Sequence, residues 1–384
     1  SALSAYIPPT SPHLDLGSSN VAVEGRTGRV ITMVQNRPYD NTAQPAPGTT
    51  AVNYNTDSDM GGSQGFQTGS SYKAFDLLEW LQEGHSLYQT VSGTQHSFPQ
   101  SAFHESDPCS DIGGAPWNVS NDEGETVGST TVMNATAQSI NTIFAKMATQ
   151  LDLCGIKERA QDLLVHGADE SINRFMANPS SVLGTNYIAP LTMATAYAGI
   201  ANNGVACSPV AIDKIVDADG SEHAVPKTQC STTPIDPGVA AAAIYALQGV
   251  LRGGGTASSA NPGDGIPIFG KTGTTDDSLE NWLVTSTTKT AQATWVGNVS
   301  GDVALRSQSF NGVGGGNVKF SIVKPIVAAL NAAYGGSAFP TPPSKYLSSG
   351  TAPKQTTPTT PAQPGTGTGP GTGTGTGANP PGRG

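Results

Sequence analysis

The chain has 384 residues, 19 Lys+Arg against 29 Asp+Glu and a formal net charge of −10, with only 12% charged residues, about half the usual ~25%. That acidic balance excludes a nucleic-acid binder, which needs Lys and Arg to displace counterions from phosphates. Six histidines without a close Cys/His pair exclude a zinc module, and the length suits two or three domains or one large bilobed one.

In chain order, the opening segment with Pro8, Pro9 and Pro12 predicts an extended linker over residues 1–20, arriving from an absent upstream domain. Val21–Gly25 and Gly28–Val34 read as two strands joined by a turn. Ser70–Gly84 reads as a helix carrying Phe75, Leu78 and Leu81 and stopped by Gly84. A single second helix is expected over Asn134–Leu151, with Ile140, Ile143, Phe144, Met147 and Leu151 at helical spacing. Leu191–Ala201 follows, ended by Asn202, Asn203 and Gly204. Asp236 and Pro237 form an N-cap and first-turn pair for a helix through Leu251. Trp282–Thr288 and Ala291–Asn298 alternate β-branched residues as a hairpin does, and Pro325–Tyr334 predicts a closing helix capped by Gly335 and Gly336. Strands at both ends with helices between them predict an α+β fold: an antiparallel sheet flanked by helices, plus an all-helical subdomain inserted into it. Residues 351–384 are dominated by Gly, Pro and Thr, without an aromatic or large aliphatic side chain, so a disordered tail is expected there.

The four cysteines, Cys109, Cys154, Cys207 and Cys230, form no Cys-x-x-Cys. Three disulfide pairings are open; Cys207–Cys230 with Cys109–Cys154 is favoured, and four buried free thiols are the alternative. The longest charge-free stretch, Phe175–Ile212, is interrupted by Pro179, Pro190, Asn202 and Gly204 and lacks some 20 consecutive apolar residues. It reads as a buried helix with its flanks, so any membrane contact is expected only through an absent N-terminal anchor.

Three short stretches carry chemistry. Ser70 and Lys73 stand at i and i+3 at a helix start, sharing a face, where free backbone N–H groups can stabilise an oxyanion. A desolvated lysine can activate the hydroxyl as a nucleophile. On its own this pattern occurs often by chance, as a solvated lysine beside an N-cap serine. Ser139 and Asn141 are two polar side chains within an otherwise apolar helix or at its start. Lys271, Thr272, Gly273 and Thr274 read as a strand whose ammonium and hydroxyls suit a carboxylate; a polar edge strand is the bland alternative. Gly265–Thr272 also matches Gly-x4-Gly-Lys-[Ser/Thr], the phosphate-cradling loop. A loop precedes it, Ile266-Pro267-Ile268-Phe269 fills it, and a poor helix start follows, which leaves nucleotide binding a remote reading.

Ser-x-x-Lys, Ser-x-Asn and Lys-Thr-Gly stand in that order at 70, 139 and 271, the trio that, with Asp in the middle motif, marks β-lactamases and penicillin-binding proteins. With Gly65-Phe66-Gln67-Thr68, Leu191–Ala198, Leu247–Leu251 and Trp295–Asn298, the chain over about Val21–Tyr334 resembles the transpeptidase domain of a class A (bifunctional) penicillin-binding protein, most like those of actinobacteria. The resemblance implies a penicillin-binding domain over residues 21–350 and a serine D,D-transpeptidase that cross-links peptidoglycan stem peptides ending in D-Ala-D-Ala and is blocked by β-lactams. It implies no metal and no organic cofactor, and a place outside the cytoplasm, at the outer face of the membrane or in the wall. Ser70 would be the nucleophile and Lys73 its proton acceptor, with Ser139 and Lys271 relaying a proton to the departing D-alanine. Asn141 would hold the acyl-chain amide. The N–H groups of Ser70 and Thr274 would form the oxyanion hole, and Thr272, Gly273 and Thr274 the carboxylate site. Ala74 stands where many relatives have proline. The glycosyltransferase part of a bifunctional enzyme is expected to lie outside this chain.

The trio is shared with other activities. A class A β-lactamase needs a water-activating carboxylate in a Glu-x-x-Leu-Asn setting, which Glu79, Glu105, Glu123, Glu158, Glu170 and Glu280 all lack. A D,D-carboxypeptidase differs only in using water as acceptor, and a non-catalytic β-lactam sensor stops at acylation.

Overall fold

The computed structural model describes residues 2–349, apart from 12, 107–108, 110–111 and 123. Its frame is a five-stranded antiparallel sheet of β1 (Leu16–Glu24), β2 (Val30–Gln35), β3 (Phe269–Thr274), β4 (Glu280–Ser286) and β5 (Thr290–Asn298), in the order β3-β4-β5-β1-β2. The first two strands and the last three meet at β1 and β5, and the helical part is inserted between β2 and β3. The sheet and its β4–β5 hairpin are those expected from the sequence, as are the helices at Lys73–Gln82, Pro190–Ala201 and Pro237–Leu251, whereas the helix at Leu153–Asp162 is an additional one.

Alternation along β4 explains the layering. Trp282 and Val284 enter the main core with Met193 and Tyr197 of α6 (Pro190–Ala201), whereas Leu283 packs with Val323 and Val327 of α8 (Val318–Tyr334). Successive side chains of a strand point to opposite faces, so α6 covers one face of the sheet and α8 the other. α6 is apolar on all sides, as a helix enclosed by protein must be, and its residues Pro190–Ile200 are all buried.

The inserted part holds α2 (Lys73–Gln82), α3 (Val132–Gln138), α4 (Asn141–Ala148), α5 (Leu153–Asp162) and α7 (Pro237–Leu251). α2 is the central helix, buried from Lys73 to Leu81 and packed on α5 and α7. α7 starts as its sequence predicts: the Asp236 carboxylate accepts from the N–H groups of Gly238 (2.9 Å) and Val239 (3.1 Å), with Pro237 in the first turn. The pairs Cys109–Cys154 and Cys207–Cys230 are both disulfide-bonded. Among the described residues no helix is long and apolar enough to cross a membrane.

Three expectations need correction. Residues 1–20 are not an extended linker: α1 (Ala2–Tyr6) and the start of β1 lie there, and Leu3, Ile7 and Leu16 share a buried cluster with Val296, Leu305, Phe310 and Ile322. The apolar side chains spaced among the prolines find a core. The single helix over 134–151 is two helices, α3 and α4, broken at Ser139, which takes a left-handed conformation (φ 59°, ψ 36°). The closing helix begins at Val318, seven residues before Pro325, which sits inside it. The tail expected over 351–384 lies outside the described residues.

Candidate active site

The site lies where the start of α2, the α3–α4 break and the edge strand β3 converge. Gly69–Tyr72 forms a 3-10 turn that runs directly into α2, placing Ser70 at its start and Lys73 one turn on. Three bonds hold this turn: the Ser71 hydroxyl donates to the Thr68 carbonyl (2.8 Å), Tyr197 Oη donates to the Ser71 carbonyl (2.8 Å), and the Trp282 indole donates to the Gln67 carbonyl (2.9 Å). The approach of turn and strand requires glycine twice. A Cβ on Gly69, at φ +51°, would lie 2.6 Å from the Thr274 carbonyl oxygen and 2.7 Å from its nitrogen, and a Cβ on Gly273 would lie 2.2 Å from the Thr68 carbonyl oxygen. The Thr274 N–H is thus brought beside the Ser70 turn.

The break between α3 and α4 explains how Ser139 and Asn141 act together. In an unbroken helix, residues two apart do not face each other. The left-handed turn at Ser139 redirects the chain so that both reach Lys73. Lys73 Nζ donates to the Ser139 carbonyl (2.8 Å), to Asn141 Oδ1 (2.6 Å) and, at 3.4 Å, to Ser139 Oγ. Asn141 is fixed from its other end, where Nδ2 donates to the Ser120 carbonyl (2.8 Å). From β3, Lys271 Nζ donates to the same Ser139 Oγ (2.6 Å). One serine hydroxyl therefore joins two buried lysines.

Electrostatics follow from burial. Lys73 and Lys271 are 1% and 0% exposed. Desolvation pulls Lys73 down to about 7, against the charges of Asp76, Asp122 and Glu125, which favour its protonated form. Lys271 is pushed well below the usual lysine range, first by burial and then by the charges of Lys73 and Lys319. Both amines are consequently able to exist neutral near pH 7.

Ser70, Ser139, Asn141, Thr272 and Thr274 line a cleft of about 510 Å³; Ser70, Asn141 and Thr274 also line an adjoining one of about 630 Å³. The predicted Ser70, Lys73, Ser139, Asn141, Lys271, Thr272, Gly273 and Thr274 are thus brought together, whereas the four cysteines stand apart as disulfides. Thr272 Oγ1 lies 3.0 Å from Thr256 Oγ1. The phosphate-loop reading is overturned: Lys271 and Thr272 sit within strand β3, paired with Val284 and Leu283, and no helix begins there.

Sequence reasoning missed four further residues of the cleft. Lys319, in the first turn of α8, donates from Nζ to the Gly273 carbonyl (3.0 Å), Thr274 Oγ1 (3.0 Å) and Asn281 Oδ1 (3.1 Å). Asn281 stands opposite Thr274 in the β3–β4 register, a partner the hairpin alternation could have indicated. Asp122 and Arg306 form an ion pair on the cleft wall, joining two distant loops without any local signal.

Comparison with known proteins gives concordant matches. The family model for the penicillin binding protein transpeptidase domain matches residues 19–302. Penicillin-binding protein 1A of Clostridium acetobutylicum is 30% identical over 271 residues, which is 66% of this chain and 33% of that protein. Penicillin-binding protein 1A of Mycolicibacterium smegmatis is 30% identical over 254 residues, 62% of this chain and 30% of that protein. The chain spans about a third of the length of these curated relatives. Among solved structures, PonA1 of Mycobacterium tuberculosis superposes with a TM-score of 0.71 at 22% identity, covering 94% of this chain and 87% of the other. PonA1 in complex with penicillin V gives 0.67 at 23%, covering 89% and 84%. At these identities the structural likeness speaks for the fold.

Proposed function

The chain belongs to the penicillin-binding protein transpeptidase family, and from that premise we propose that it is a serine D,D-transpeptidase that cross-links peptidoglycan stem peptides through an acyl-enzyme on Ser70. The observation that carries this reading is the Ser139 hydroxyl held between Lys73 and Lys271 in the cleft that Ser70 lines.

The chemistry follows from those positions. Lys73, in its neutral form, accepts the Ser70 proton as Oγ attacks the carbonyl of the penultimate D-alanine. The N–H groups of Ser70 and Thr274 stabilise the oxyanion. When the C–N bond breaks, the departing D-alanine nitrogen takes a proton from Ser139, and the proton that Lys73 took from Ser70 replaces it through the hydroxyl that Lys73 and Lys271 share. Asn141 holds the acyl-chain amide, and the Thr272 and Thr274 hydroxyls, beside Gly273, bind the terminal carboxylate. An acceptor amine then attacks the ester carbonyl, its proton leaves by the same relay, and Ser70 is regenerated. A β-lactam follows the first half of this path, but its leaving nitrogen stays tethered and the acyl-enzyme persists. Two disulfides fit an oxidising compartment, in keeping with action outside the cytoplasm at the outer face of the membrane or in the wall.

Intact mass after incubation with benzylpenicillin tests the reading. A long-lived adduct of the whole drug on Ser70, absent in Ser70→Ala, is expected; unmodified protein with the drug intact refutes the nucleophile, and unmodified protein with hydrolysed drug points to a β-lactamase. Incubation of a D-Ala-D-Ala stem peptide with an amine acceptor yields cross-linked product for a transpeptidase and only released D-alanine for a carboxypeptidase.

A further inference from the structure

We infer that Lys319 is a positioning residue for the anion end of the cleft: it fixes the Thr274 hydroxyl as a hydrogen-bond donor and backs it with buried positive charge, so that the site selects acyl donors whose leaving group ends in a free carboxylate. This rests on the transpeptidase reading of the same cleft.

The geometry is specific. Lys319 is 3% exposed, and a lysine ammonium has three donors and no acceptor. All three are engaged by protein oxygens, namely the Gly273 carbonyl, Thr274 Oγ1 and Asn281 Oδ1, at 3.0–3.1 Å. Because Thr274 Oγ1 accepts from Lys319, its own O–H must be donated elsewhere. Asn281 Oδ1, at 3.5 Å from it, is poorly placed and already receives the lysine. The remaining direction is the cleft, which Thr274, Asn281 and Lys319 line together with Ser70.

The charge balance points the same way. Among the described residues no carboxylate forms an ion pair with Lys319, whereas Asp122 on the same wall is paired with Arg306. A buried cation without a paired counter-ion is costly, and desolvation accordingly lowers Lys319 to about 7, against the charge of Asp122 and with that of Arg306. An anion bound to the Thr274 hydroxyl supplies the missing negative charge. A neutral carboxamide of the same shape does not.

Two thioester acyl donors, identical except that the leaving group ends in a carboxylate or a carboxamide, test this on the whole chain. With the wild type, kcat/KM favours the carboxylate. In Lys319→Met that preference falls at least tenfold, mainly through KM, while the carboxamide donor changes less than threefold; Lys319→Arg restores part of the preference. Equal losses with both donors indicate a merely structural lysine and overturn the inference, as does a preference left intact. Should Lys319→Met fail to fold, Lys319→Gln, neutral but still able to donate, must lose the preference too, and its retention overturns the inference. A wild type that reacts with the donors but shows no preference overturns this inference alone. A wild type that reacts with neither overturns the functional reading on which it rests.

Discussion

If neutral Lys73 takes the Ser70 proton, acylation must titrate with the lysine pair around Ser139. Burial brings Lys73 down to about 7, against the charges of Asp76, Asp122 and Glu125, which favour its ammonium. The sign is fixed: the reactive form is deprotonated, so the rate rises with pH. The neutral fraction is about one half at pH 7, about a tenth at pH 6 and about a hundredth at pH 5, tenfold per unit below the midpoint. Lys73 and Lys271 bond the same hydroxyl, so the measured midpoint belongs to the pair. The assay is the second-order rate constant for acylation by a fluorescent penicillin from pH 5 to 9. Lys73→Arg, whose guanidinium stays charged, should lose roughly 10²–10⁴-fold across that range. A flat profile from pH 5.5 to 8.5, or an arginine variant keeping more than about a tenth of the wild-type rate at pH 8, refutes Lys73 as the proton acceptor.

Other perturbations reach the supporting structure. Asp76 is wholly buried, and among the described residues neither carboxylate oxygen has a hydrogen-bond partner; burial raises its pKa well above the ordinary value, while the charges of Lys73 and Lys271 lower it. Its contribution to stability is greatest below pH 4 and declines as pH rises, so Asp76→Leu should raise stability at neutral pH by about 1–3 kcal/mol, read by urea unfolding, with a gain that shrinks in acid. Glu280, which accepts from the Trp295 indole, is raised from 4.5 to about 8 by burial; Glu280→Gln should remove up to about 1.4 kcal/mol per pH unit from the decline in stability between pH 5 and 8, and an unchanged slope in thermal unfolding would count against it. Gly69→Ala meets both a positive φ and the Thr274 carbonyl, so a loss of about 2 kcal/mol or more is expected, together with slower acylation; a variant as stable and as fast as the wild type contradicts the close approach.

Most of the frame was legible because periodicity and caps are local. The β4–β5 hairpin, the Asp236 cap and the edge strand through Lys271 depend on neighbours within a few residues. The break at Ser139 was not legible. Apolar spacing continues across it through Ile140, Ile143, Phe144 and Met147, all buried, and no glycine or proline marks the one left-handed residue. Lys319 was missed for a related reason. Pro325 resembles a first-turn proline, so the predicted helix starts there, but the ring is accommodated within α8 and the true first turn lies earlier. The lysine therefore fell in apparent loop, and its contacts with Gly273 and Asn281, 46 and 38 residues away, leave no trace in local sequence.

Three lysines buried in and behind one cleft are unusual in a chain with a net charge of −10, and their protonation alone does not separate their tasks, since burial lowers all three. Hydrogen-bond connectivity does. Lys73 and Lys271 both end on the Ser139 hydroxyl, a group that can accept from one amine while donating onward, so a proton has a continuous route between them. Lys319 ends on a backbone carbonyl, an amide oxygen and the Thr274 hydroxyl; the first two have no exchangeable proton to pass on, which leaves it positioning a single oriented donor. On the proposed reading two lysines on a shared hydroxyl serve proton movement and the third anion selection, so replacing Lys319 by a neutral residue should change which acyl donor is preferred and, by removing a charge that lowers Lys271, should raise rather than lower the pH midpoint of the other two.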